Sequence, residues 1–106
     1  MKRIDVDMGE YFPTVTGELK YEVYDVLGAY LCIEVSGVGC VAHIGNVRHE
    51  REYIVGLIEY LRNEVAPWLR ERFGKIISTC DINDKGTYRF LEAVGFKMET
   101  IVIGVL

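Results

Sequence analysis

Residues 76–97, IISTCDINDKGTYRFLEAVGFK, carry the most legible local grammar in the chain. The run opens on Ile76-Ile77-Ser78-Thr79-Cys80, an apolar stretch suited to a short buried strand. Asp81, Asn83 and Asp84 follow, each able to cap a helix with a side-chain oxygen. Thr87, Phe90, Leu91 and Val94 then recur at helical spacing, and Gly95 stops the helix because a left-handed residue costs least as glycine. Phe96 is placed to fold back on the last turn. The segment predicts strand, cap, short helix, Gly-Phe and a further strand.

Working toward the N-terminus, Ile54, Leu57, Ile58, Leu61, Val65, Trp68 and Leu69 give the three-and-four spacing of an amphipathic helix packed on a sheet. Gly45 and Asn46 should end a strand and open this longest helix, and Gly74 should close it. Pro67 removes a backbone donor and disfavours helix at Ala66, which predicts a kink or a short second helix. Residues 21–47 read as a three-stranded meander: 21–26, 29–36 and 40–44, separated by Leu27-Gly28 and Gly37-Val38-Gly39. Residues 1–20 are the least patterned, with a short strand over 2–6 and irregular connection at Pro13 and Gly17. The expected fold is α/β (α+β), with residues 1–106 as one domain. A mixed central sheet of about five to six strands carries one long and one short helix.

With 106 residues, half of them hydrophobic, the chain has enough apolar surface for a core. The opening MKRIDVD has acids at Asp5 and Asp7 and no apolar signal-peptide core, so a cytoplasmic location is expected, with no membrane segment. Cys32, Cys40 and Cys80 are odd in number and widely spaced. They suit buried core positions, and neither they nor His43 and His49 form a metal-binding pattern. Net charge is −4, and the excess lies in residues 1–47, which hold seven acids against three bases. That balance argues against nucleic acid and could draw a cationic amine, or be an ordinary solvated surface.

Asp84, Thr87, Leu91, Gly95 and Phe96 resemble the strand-to-helix segment of the GNAT superfamily of acyl-CoA-dependent N-acetyltransferases, with Asp84 where asparagine is usual. Arg89-Phe90-Leu91-Glu92 and Val94-Gly95-Phe96 look especially like small phage-encoded members. The resemblance implies transfer of acetyl from acetyl-CoA to an amine on a small molecule or protein, in a bacterial host cell if the chain is phage-encoded. A homodimer is left open. The alternative is a GNAT-fold module that has lost CoA binding and serves structure or protein interaction.

In that family the CoA pyrophosphate lies on N–H groups at the start of the long helix, where the unpaired donors and the dipole favour an anion. The resemblance thus implies cofactor contacts from Gly45, Asn46, Val47, Arg48 and Arg51, with Asp84 at the second helix. The family signature (Gln/Arg)-x-x-Gly-x-(Gly/Ala) is not intact here. Counting from Arg51 puts Ile54 at its first glycine and Gly56 at its second, whereas counting from Arg48 gives Arg51 and Tyr53. A capped helix start with exposed charges is the other reading of this stretch. The family's acidic tyrosine falls at Leu91, which leaves Tyr88 on the neighbouring turn as the substitute or as packing. A base near the cleft between the central strands would be Glu34 or His43, the latter also suiting a hydrogen-bonded structural role.

Overall fold

A computed structural model describes residues 1–37, 39–80 and 83–98. They form an α+β fold around a five-stranded mixed sheet in the order β1-β2-β3-β4-β5. The strands are β1 (Lys2–Arg3), β2 (Tyr21–Val26), β3 (Ala29–Ser36), β4 (Gly39–Gly45) and β5 (Ile76–Ile77). The first four are antiparallel and β5 runs parallel to β4. The meander expected over 21–47 is present. Its first turn places Leu27 and Gly28 at φ 54° and 87°, the doubly left-handed geometry that keeps a two-residue hairpin in step with strand twist. The Asp25 carboxylate accepts from the Gly28 N–H at 2.8 Å and steadies it.

Alternation along the strands creates two unlike faces. On one, Tyr24, Val26, Leu31, Ile33, Cys40 and Ala42 are buried against Leu57, Leu61, Val65, Leu69 and Val94 of the helices. On the other, Val23 and Cys32 are covered by the N-terminal segment, with Phe12 buried and Ile4, Val6 and Met8 packed alongside. This segment contains a single helical turn, α1 (Met8–Tyr11), capped by Asp7. It covers the second face, which the sequence reading left without an owner.

The long helix begins later than expected, at Arg51 rather than Gly45–Asn46. Asn46 is left-handed, at φ 53°, and its side-chain amide donates to the Gly28 carbonyl at 3.0 Å. The strand exit is thereby tied to the first hairpin, and Val47 packs on the core before the helix starts. Helix α2 (Arg51–Tyr60) widens into a π turn at Leu61–Val65 and continues as α3 (Ala66–Phe73). The Ala66 N–H bonds Leu61 O, five residues back, so the turn ahead of Pro67 absorbs its steric demand without breaking the rod. Arg72 anchors α3 to the sheet, donating to the Tyr24 hydroxyl (2.9 Å) and to Glu22 (3.0 Å) while its guanidinium lies over Trp68.

Helix α4 (Lys85–Val94) follows the sequence expectation closely. Asp84 accepts from the Thr87 N–H at 3.1 Å and the Thr87 hydroxyl at 2.7 Å. At the far end Gly95 is left-handed, φ 119°, its N–H bonds Glu92 O and the Phe96 N–H bonds Leu91 O. That pair of bonds closes the helix and brings Phe96 back onto the core. The strand expected after Phe96 lies outside the described residues beyond position 98. No helix among the described residues is long and apolar enough to cross a membrane.

Candidate functional site

The parallel pairing of β4 with β5 stops after two residue pairs, Cys40–Ile76 and Val41–Ile77. Its start is fixed by a close approach: a Cβ at Gly39 would sit 2.2 Å from the Lys75 carbonyl, which accepts from the Cys40 N–H at 2.8 Å. Beyond Ile77 the two chains part. The Ser78 hydroxyl reaches the Ala42 carbonyl at 2.9 Å, while β4 runs on to Gly45. The strand expected over 76–80 is thus cut to Ile76–Ile77, because a side chain replaces the ladder at Ser78.

Beneath this parting, on the helix face, lies a cavity of about 50 Å³ with almost wholly apolar walls. Ala42, Ile44, Leu61, Val65, Leu91 and Phe96 line it, and His43 and Ser78 border it. The π turn contributes Leu61 and Val65, so the widened helix forms one wall. A space several times that of one water, with so few polar partners, suits a small apolar group better than water.

His43 links this gap to the opposite sheet face. The β3–β4 register pairs Cys32 with His43 and Glu34 with Val41, so Glu34 and His43 are diagonal neighbours on the face away from the long helices. His43 Nε2 and Glu34 Oε1 are 2.6 Å apart, with side chains only 22% and 14% exposed. When Nε2 donates to the carboxylate, Nδ1 is left as the proton acceptor. Two sequence candidates therefore form one pair. Burial, with a smaller contribution from the Glu34 charge, pushes the Cys32 thiol up to about 11, which keeps it protonated at neutral pH and removes it as a nucleophile.

The start of α2 is less committed. Glu50 occupies the cap position with no side-chain bond to the first turn. Arg48 donates to the Glu50 carboxylate at 3.0 Å and lies 5.0 Å from the Tyr53 ring centroid. That hydrogen bond holds the Glu50 carboxyl below its ordinary range. The Tyr53 hydroxyl is buried without a partner among the described residues. Uncapped N–H groups and exposed arginines fit a pyrophosphate, whereas the absence of glycine from 46–50 does not favour close backbone approach.

Several candidates have a complete account in the fold itself. A Cβ on Gly45 would meet the Phe12 ring and Tyr11 carbonyl at 3.4 Å, so its small size serves the N-terminal segment. Asn46 ties the loop to the hairpin, Val47 packs, and Asp84 caps α4. Gly56, in the second glycine position of the Arg51 register, has open space where its side chain would be. Tyr88 is half-buried on α4 and stands outside the cavity, which Phe90, Leu91 and Val94 line instead.

Two participants escaped the sequence reading. Ser78 bridges the parting strands, and Tyr21 lies directly opposite Glu34 in the β2–β3 register. The two-residue hairpin at Leu27-Gly28 carries that second pairing in the sequence, because turn length fixes register. No group of three or more potential metal ligands occurs among the described residues. Comparison of the chain with protein-family models, curated proteins and solved structures gave no match.

Proposed function

We propose that the chain is a GNAT-like N-acyltransferase that moves acetyl from acetyl-CoA to an amine. The observation that carries this reading is the position of His43. It borders the gap where β4 and β5 part and is hydrogen-bonded to Glu34 on the other sheet face. The element order supports it too: an antiparallel meander, a long helix, a parallel strand and a glycine-stopped helix.

Acetyl-CoA would supply the acyl group activated as a thioester. The N–H groups opening α2, with Arg48 and Arg51, would hold its pyrophosphate. The apolar cavity would seat the chain end near the gap and exclude water from it. His43 Nδ1 takes the proton that the ammonium must lose, and Glu34 holds the imidazole and stabilises its charge. The freed amine nitrogen bonds the acyl carbon as the carbon–sulfur bond breaks. Sulfur leaves with the electron pair, and the proton still carried by the acylated nitrogen passes through solvent to the thiolate, which leaves a neutral amide and a free thiol. The test is release of free thiol when the protein is mixed with acetyl-CoA and a panel of primary amines. Release that requires both reagents and falls in His43→Ala is expected; none above background with any amine would count against transfer.

The second reading, an interaction module on the same fold, is favoured by the fold contacts that occupy Gly45, Asn46 and Asp84. It predicts no acetyl-CoA binding at all.

A further inference from the structure

We propose that the acceptor is a primary ammonium on an alkyl arm, bound on the sheet face away from the long helices, over the Tyr21 ring and against Glu34. The inference rests on the acyltransferase reading for its meaning, but the site is argued from its own geometry.

Tyr21 and Glu34 are direct partners in the β2–β3 register, so their side chains stand side by side on one face. The N-terminal segment covers the neighbouring Val23 and Cys32 and leaves Tyr21 39% exposed. An exposed aromatic ring beside a carboxylate is a cation site by two mechanisms, the ring quadrupole and the charge-assisted hydrogen bond. Glu34 uses Oε1 for His43, and among the described residues its Oε2 has no partner.

Tyr21 also borders a second cavity of about 60 Å³, which Arg3, Asp5 and Met8 help to line and whose walls are mainly polar. Unlike the apolar cavity beneath the gap, it suits a hydrated or charged group. Its charged lining is balanced between Asp5 and Arg3, and the Arg3 guanidinium also lies 3.9 Å from Glu22 across the sheet edge. All the net negative charge of the chain falls in residues 1–47, which include the strands and the N-terminal segment around this face, and would raise the local concentration of cations. A cation resting on Tyr21 would lie beside Glu34, the carboxylate whose Oε1 holds His43 Nε2.

The test uses 1,5-diaminopentane, with 1,5-pentanediol as its uncharged counterpart, titrated into the ¹⁵N-labelled full chain at low ionic strength without acetyl-CoA. The diamine should move the amide signals of Tyr21, Glu34 and His43 saturably, and the diol should not. Tyr21→Ala should weaken the response about threefold to tenfold, and the isosteric Glu34→Gln about tenfold. Equal responses to diamine and diol, or none at these residues, would overturn the site. Diamine binding in a protein that ignores acetyl-CoA would uphold the site and remove the transfer step. Acetyl-CoA binding with no diamine response would do the reverse.

Discussion

Helices α2 and α4 begin in opposite ways. At α4, Asp84 satisfies the first turn with two bonds to Thr87, and Gly95 and Phe96 close the last turn just as fully. At α2 no side chain caps the first turn, Arg48 meets only the exposed Glu50 carboxylate at the surface, and the Tyr53 hydroxyl is buried without a partner among the described residues. Free polar groups cost stability, and sites that bind ligands are where folds keep them. The contrast therefore separates a region that holds the fold from a region available for chemistry. Substitutions at the α2 side and along the Glu34–His43 pair should change function and leave the melting temperature nearly unmoved. Substitutions in the α4 unit should do the opposite.

The largest expected effect is on turnover. Under the proposed acetyl transfer, Glu34→Gln keeps the shape but removes the charge beside the His43 imidazole, and should lower kcat about 10²-fold while acetyl-CoA affinity stays within about twofold. A steady-state assay with the amine that releases thiol best measures both. Full activity in this variant would dismiss the pair as the base. Next is the anion end: Arg48→Ala with Arg51→Ala should weaken acetyl-CoA binding at least about tenfold, with an unchanged melting temperature. Undiminished binding would place the phosphates elsewhere and break the contrast at its open side.

The α4 unit supplies the smaller, opposite effects. Gly95→Val puts a β-branched residue at φ 119° and should cost more than about 1 kcal/mol in chemical denaturation, without altering acetyl-CoA affinity. An unchanged denaturation midpoint would remove the argument for the glycine stop. The smallest is a pH effect at Asp84, whose carboxyl is held below its ordinary value first by the Thr87 N–H and then by the Thr87 hydroxyl. A group depressed by folding stabilises above its unfolded pKa, here 3.8, and loses that contribution as pH falls through the folded value. Asp84→Asn should therefore flatten the acid limb of stability below about pH 4 relative to the parent chain. Identical acid limbs would show that the cap carries no linked proton.

What the sequence made legible follows the same division. Asp84, Gly95 and Phe96 act within one helix, so their roles can be read from spacing alone. Gly45, Asn46 and Gly39 act on Phe12, Gly28 and Lys75, partners remote in the chain, and nothing local announces those contacts. For that reason α2 was expected five residues early and β5 three residues too long. The π turn ahead of Pro67 is a compromise between a continuous apolar stripe and a missing donor, which the sequence poses without choosing its solution. Glu34 and His43 were each legible as polar intrusions in apolar strands. Their pairing needed the β3–β4 register, and the cover over their sheet face needed the fold of residues 1–20, where periodicity is weakest.

The most direct measurement is a calorimetric titration of the full chain with acetyl-CoA, repeated with Arg48→Ala/Arg51→Ala and Gly95→Val. The account predicts saturable binding to the parent chain at a single site, weakened in the arginine variant and preserved in the glycine variant at a temperature where both remain folded. No binding by the folded parent chain would contradict the acyltransferase and leave the interaction module in its place.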